Sequence, residues 1–140
     1  MTLTLILVYY NSEEYFSLID EFMRAVTKRW PHVLVQFEDF SNENALPILE
    51  KYRYKYLCFN DDIQGTGAVA LSGVLSALRI RGSDVKSLAK ERIVIVGAGS
   101  AGVGVANSLA WTMVTELGIR PEVPPITLKF PSNLILIALT

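Results

Sequence analysis

The sequence predicts an α/β fold in which short buried strands alternate with helices. Three observations predict it. Apolar residues at helical spacing over 12–29 run directly into an apolar stretch over 32–37. The alternation repeats at 43–56 and 57–59. A β-branched run, Ile93-Val94-Ile95-Val96, then enters a glycine-rich turn. Helix and strand patterns taken in turn, rather than strands in series, lead to parallel sheets with helical crossovers.

The first helix is expected over 12–29. Tyr15, Phe16, Leu18, Ile19, Phe22, Met23 and Val26 recur every three or four residues behind a Ser12 cap and the acids Glu13 and Glu14. Trp30 and Pro31 stop it, and the stretch over 32–37 then reads as a strand, apolar on both faces as in a buried parallel sheet. A second helix fits 43–56, with Leu46, Leu49, Tyr52 and Tyr56 on one side, and a short strand fits 57–59. After Gln64-Gly65-Thr66 a third helix should run to about Arg81, with Gly82 as its C-terminal cap. Polar residues over 83–92 read as a connection between domains. The strand over 93–96 is followed by a helix from about Ala101 to Leu117. Beyond Gly118 four prolines leave only 126–130 and 134–139 as candidate strands.

Composition narrows the function classes. Of 140 residues 51% are hydrophobic and 19% charged, which is the composition of a chain that buries a core. The net charge of −1 supplies no field to hold nucleic acid or an anionic membrane. Cys58, the single cysteine, has no disulfide partner in the chain, and an intracellular setting, cytoplasmic or mitochondrial, is expected. The apolar stretches over 3–10 and 134–139 are too short to cross a hydrocarbon core as helices. The first also lacks the basic n-region and cleavage site of a secretory signal. His32, Cys58 and the tyrosines Tyr52, Tyr54 and Tyr56 read as structural.

Two constellations carry chemistry. Glu38, Asp39, Asp61 and Asp62 collect at the carboxyl ends of two successive strands, where open α/β sheets form their ligand crevice. Oxygen donors of this kind suit Mg²⁺ or Mn²⁺ rather than zinc. Neighbours in a regular strand point to opposite faces, so Glu38 and Asp39 converge only if the backbone leaves the pleat there. The alternative reading has these acids serve the following helices, Asp39 or Asn42 capping one and Asp62 or Thr66 the next. The second constellation is Gly-x-Gly-x-x-Gly at Gly97, Gly99 and Gly102, placed after a strand and before a helix. Gly97 permits the turn, Gly99 the approach of a pyrophosphate and Gly102 close helix–strand packing. Donors at the helix start then face the phosphates. The acid expected about 20 residues further on to hold the ribose is missing, which leaves NAD against NADP open.

The linked segments Gln36-Phe37-Glu38-Asp39-Phe40, Lys51-Tyr52-Arg53, Lys55-Tyr56 and Phe59-Asn60-Asp61-Asp62-Ile63-Gln64-Gly65-Thr66 closely resemble malic enzymes, from about Glu14 to about Gly118. The resemblance implies Glu38, Asp39 and Asp62 as ligands of Mg²⁺ or Mn²⁺. It implies Asp61 as the residue that orients the general base, and Asn42 beside the cofactor. Gly97, Gly99, Ser100, Ala101 and Gly102 would form the NAD(P) phosphate turn. It implies oxidation of L-malate by NAD(P)⁺ and loss of CO₂ to give pyruvate, in a full-length family member that is a homo-oligomer. The fold implied is part of a catalytic domain over 1–82, leading into the first βα unit of a Rossmann-type NAD(P)-binding domain over 83–118, with an atypical tail over 119–140.

The family's base lysine, acid tyrosine and malate-gripping arginine precede this segment, and the later asparagines of its substrate pocket follow it. None has a matching position here, so the expectation is a truncated malic enzyme, inactive alone, with ends arising from an incomplete or misassembled coding sequence. Two other readings compete. One is a noncatalytic nucleotide- or metal-binding module that pairs with an intact subunit. The other is a different dehydrogenase class that shares only the strand, glycine turn and helix.

Overall fold

The computed structural model describes residues 13–118 and 134–137. Helix α1, Glu13–Arg29, carries Glu13 and Glu14 in its first turn and Lys28 and Arg29 in its last, each charge set against the opposite pole of the helix dipole. Its apolar stripe, with Met23 fully buried, packs on Val35, Phe37, Ile48 and Tyr52. The next strand is shorter than the sequence predicts. The Val33 N–H bonds back to the Trp30 carbonyl at 3.1 Å, so a turn consumes the residues after the helix and β1 spans only Val35–Phe37.

Helix α2, Asn42–Tyr52, also ends before its predicted limit, because Arg53, Lys55 and Tyr56 close tight turns onto Leu49 and Tyr52 and redirect the chain toward β2, Cys58–Asn60. Strands β1 and β2 pair in parallel with Phe37 opposite Asn60, so their carboxyl ends lie side by side. This is the parallel α/β arrangement the alternation predicts.

A polar strut ties α1 to α2. The Asp20 carboxylate accepts from the Tyr52 hydroxyl at 2.5 Å and from Lys51 Nζ at 2.6 Å. Lys51 first, then Tyr52, hold the Asp20 carboxyl below the usual range, while burial and then the Asp20 carboxylate push the Tyr52 hydroxyl up. A carboxyl with a lowered folded-state pKa contributes stability above its unfolded value, and that contribution is lost as pH falls through the folded value. Tyr52→Phe is therefore expected to cost about 1 kcal/mol near neutral pH, with the deficit shrinking under acid. Urea melts of both proteins at neutral and acid pH check it; an equal deficit at both would count against the strut.

The third helix begins where the sequence predicts, but the segment before it is not a strand end and loop: a π-helical turn over Asp61–Gly65 leads without interruption into α3, Thr66–Ile80. Asn60 causes this by a reciprocal cap: its Oδ1 accepts from the Ile63 N–H and its own N–H donates to Gln64 Oε1, both at 3.0 Å. Gly82 ends α3 with φ of 73°, and the bonds Ser83 N–H to Leu78 O and Gly82 N–H to Arg79 O form the paired closure that a left-handed glycine permits.

The connection is a 3₁₀ turn over Val85–Lys90 that drives Leu88 into a core with Leu78, Ala106, Leu109 and Met113. Strand β3, Ile93–Val96, follows, and then α4, Ser100–Leu117, closed by Gly118 at φ 64°. Strand β4, Leu134–Ile137, pairs with β3 antiparallel, Val96 opposite Leu134, so the second sheet departs from the parallel rule. The expected strand over 126–130, the apolar stretch over 3–10 and the Ser12 cap lie outside the described residues.

Helices α3 and α4 cross at van der Waals limits. A Cβ at Gly67 would lie 2.5 Å from the Gly104 carbonyl oxygen, and one at Gly104 would overlap the Ile63 carbonyl. The helical run Asp61–Ile80 is, by length and composition alone, apolar enough to cross a membrane. It opens on two aspartates and meets α4 backbone to backbone at Gly67 and Gly104, with most of its remaining surface exposed.

Candidate metal and nucleotide site

The acids at the strand tips are drawn together by backbone geometry. Asp39 adopts φ of 62°, the left-handed region that short polar side chains tolerate best, and this breaks the pleat just past β1. Its N–H then donates to Asp62 Oδ2 at 2.8 Å, joining the β1 tip to the first turn after β2. Glu38 is held from its own strand, where Oε2 accepts from Gln36 Nε2 at 2.7 Å. Asp61 folds over Gly65, where a Cβ would lie 2.9 Å from its carboxyl carbon. The donor set is all oxygen and suits a hard cation. As placed, the donors stand apart: among the described residues no group of three His, Cys, Asp or Glu side chains converges on one point. Two carboxylate-bearing tips adjoin here, short of a closed cage.

The second constellation is built at the end of β3. Gly97 has φ of 122°, which a side chain would strain, and a Cβ at Gly102 would lie 3.1 Å from the Gly97 carbonyl carbon, so the helix starts hard against the turn. Gly99 precedes α4 with no side-chain cap of its own. That role falls to Asn42, the first residue of α2: its Oδ1 accepts from the Ser100 N–H at 2.8 Å and the Ser100 hydroxyl at 3.0 Å. A Cβ on Gly99 would lie 3.0 Å from that same oxygen. The sequence leaves Asn42 as a candidate cap for α2; it caps α4 instead, while Ser41 precedes α2 without a side-chain bond. The N-terminal donors of α4 suit a dinucleotide phosphate, and the turn fits one.

Glu38, Asp39, Asp61, Asp62 and Asn42 therefore lie along one edge, with Ser100 and the glycine turn joined to it through Asn42. Gln36 and Asn60, given no role of their own in the resembling segments, fix this edge, and Gly67 and Gly104 set the crossing of α3 and α4 behind it. Asn60 is fully buried, and its Nδ2 has no hydrogen-bond partner among the described residues. The pairing of Asn60 with Gln64 is the signal that could have marked the helical turn over Asp61–Gly65.

Comparison with known proteins bears on this pair of constellations. Residues 8–53 match the family description "Malic enzyme, N-terminal domain", and residues 63–124 match "Malic enzyme, NAD binding domain". The chain belongs to the malic enzyme family. Among its relatives, "NAD-dependent malic enzyme, mitochondrial" of Solanum tuberosum is 53% identical over 108 residues, 77% of this chain and 17% of the relative. "NAD-dependent malic enzyme" of Cronobacter sakazakii is 50% identical over 112 residues, 80% of this chain and 19% of that protein. The same name is borne by a Shewanella sp. relative that is 52% identical over 112 residues. This malic enzyme chain thus spans less than a fifth of the length of these relatives. Strand β1 with Glu38 and Asp39 falls in the first matched segment and the glycine turn with α4 in the second, while β2, Asp61 and Asp62 lie between the two.

Proposed function

We propose that this chain forms the metal-ligand edge and nucleotide turn of a malic enzyme, the reaction being oxidative decarboxylation of L-malate to pyruvate and CO₂ with reduction of NAD⁺. The observation that supports it best is the bond from the Ser100 N–H to Asn42, which joins the glycine turn to the edge whose acids are themselves tied by Asp39 and Asp62. NAD⁺ is preferred to NADP⁺ because the relatives are named NAD-dependent. Gly97, Gly99, Ser100, Ala101 and Gly102 would face its pyrophosphate, with Asn42 beside it. Glu38, Asp39 and Asp62 would hold Mg²⁺ or Mn²⁺ once their carboxylates rotate together, and such an ion supplies Lewis-acid chemistry at a substrate oxygen. Asp61 would orient a base whose lysine has no counterpart in this chain. The division at 82/83 into catalytic and Rossmann-type parts, a homo-oligomeric full-length protein and a cytoplasmic or mitochondrial location belong to the same reading.

The purified 140-residue chain is expected to give no malate-dependent NADH formation at 340 nm with Mn²⁺ present, since it carries less than a fifth of its relatives' length. Robust turnover from the chain alone would contradict the proposal. A second reading, a noncatalytic module bound to an intact subunit, is favoured by bare apolar side chains: Val96 is 79% exposed, Ile80 88% and Trp111 70%. Coelution with an intact NAD-dependent malic enzyme on size exclusion would support it.

A further inference from the structure

We infer that Gly65 is a positioning residue that parts the adjacent carboxylates of Asp61 and Asp62, keeping Asp61 off the cation edge and leaving that edge to Asp62. This rests on the metal reading above. Gly65 has ordinary right-handed helical angles, φ −64° and ψ −50°, so its backbone does not call for glycine. Glycine within a helical run is otherwise a poor choice, because it loses more conformational freedom than any other residue. What the missing side chain leaves is room. A Cβ at Gly65 would overlap Asp61 Oδ1 and stand 2.9 Å from the Asp61 carboxyl carbon and 3.6 Å from Oδ2, so its three nearest neighbours all belong to that one carboxyl group.

Asp61 and Asp62 are consecutive in the turn over Asp61–Gly65, yet they are held differently. Asp62 Oδ2 accepts from the Asp39 N–H at 2.8 Å and so reaches the β1 tip. The Asp61 carboxyl lies along the turn, over the residue four places on, where side chains of one helical face meet. Among the described residues no side-chain hydrogen bond holds it, so contact with the bare Gly65 is what fixes it.

A methyl group at Gly65 would not press backbone on backbone, as it would at Gly104. It would turn the Asp61 side chain out of its seat. The favoured staggered positions of a helical side chain point back toward the helix start. That start is the end of β2, with Phe37 of β1 opposite Asn60, so a displaced Asp61 swings toward the edge that bears Glu38, Asp39 and Asp62. The edge would then carry a further carboxylate, and a divalent ion held by oxygen is bound more tightly as the charge of its ligands rises. Gly65 thus lowers cation affinity and leaves the Asp61 oxygens open.

The test is a double-mutant cycle in the full chain, with Gly65→Ala, Asp61→Ala and the two combined, read by Mn²⁺ titration in electron paramagnetic resonance and by urea melts. Gly65→Ala should bind Mn²⁺ at least roughly three-fold more tightly than the unaltered chain. The combined variant should bind no more tightly than Asp61→Ala, because the substitution acts only through that carboxylate. Its urea midpoint should exceed that of Asp61→Ala, since alanine with no carboxylate to meet is the better helix former. A merely structural glycine would move the midpoint and leave Mn²⁺ binding alone. Unchanged or weaker Mn²⁺ binding by folded Gly65→Ala, a gain that survives in the Asp61→Ala background, or a combined variant with the lower midpoint overturns the inference and leaves the metal reading standing. Absence of Mn²⁺ binding from all of these proteins overturns both. Should Gly65→Ala alone fail to fold, the combined variant decides: folding regained without the Asp61 side chain sustains the contact as the cause, and continued failure overturns it.

Discussion

Gly104→Ala is expected to lower stability by about 3 kcal/mol or more, although in an isolated helix the same change would add nearly 1 kcal/mol. The reversal of sign follows from the crossing of α3 and α4. A methyl group at Gly104 would overlap the Ile63 carbonyl oxygen and lie 2.6 Å from its carbon and 2.9 Å from its Cα. These are backbone atoms of the π-helical turn, and they cannot swing aside as a flexible side chain would. Relief requires parting the helices, which strips Leu78 and Leu88 from Leu109 and Met113 in the core beneath. A loss of this size is a large fraction of the 5–15 kcal/mol that holds an ordinary domain. Urea unfolding with an unchanged m-value would show it as a fall in midpoint. A variant as stable as the parent would mean that the two helices do not touch at this point.

Asp62→Ala carries the second large effect, this time on metal affinity. Its carboxylate accepts from the Asp39 N–H, so its removal leaves the left-handed turn without its anchor and also deletes one of the three proposed oxygen ligands. Loss of an outer-shell partner alone typically weakens metal binding by about 10–100-fold, and loss of a ligand together with its positioning bond should be at least as costly. Mn²⁺ affinity followed by electron paramagnetic resonance should fall by more than about tenfold, against a stability cost of only about 1 kcal/mol for the lost bond. Glu50→Ala, on the exposed side of α2, is the control and should bind Mn²⁺ as the parent does. Equal affinities for Asp62→Ala and the parent would remove Asp62 from the ligand set.

The sequence was informative where periodicity and glycine chemistry are local. Helix α1 is readable from its apolar spacing because one face meets a core and the other meets water, and Gly82 and Gly118 mark helix ends because left-handed closures favour glycine. The βα unit at Gly97 is readable for the same reason. Long-range bonds override local preference elsewhere. Asn42 looks like a cap for its own helix, yet its amide bonds across 58 residues to Ser100. The helical turn ahead of α3 is not legible because aspartates after a strand look like a loop, whereas the bonds from the Ile63 N–H to Asn60 Oδ1 and from the Asn60 N–H to Gln64 Oε1 wind them into a turn. The break in pleat that Glu38 and Asp39 require if they are to converge is present in the φ of Asp39, which no propensity of a single aspartate foretells. Pairing of β4 with β3 depends on where the tail returns, and strand patterns do not encode direction.

All of this turns on whether the tips of β1 and β2 share one cation, and the position of a bound paramagnetic ion tests that directly. Mn²⁺ added in substoichiometric amounts to the ¹⁵N-labelled chain should first erase the amide signals of Glu38, Asp39, Phe40, Asp61, Asp62 and Ile63, leaving those around Asp20 and Glu50 sharp. Uniform weak broadening, or broadening centred on the acids of α1, would show that the strand-tip carboxylates do not gather an ion and would contradict the account.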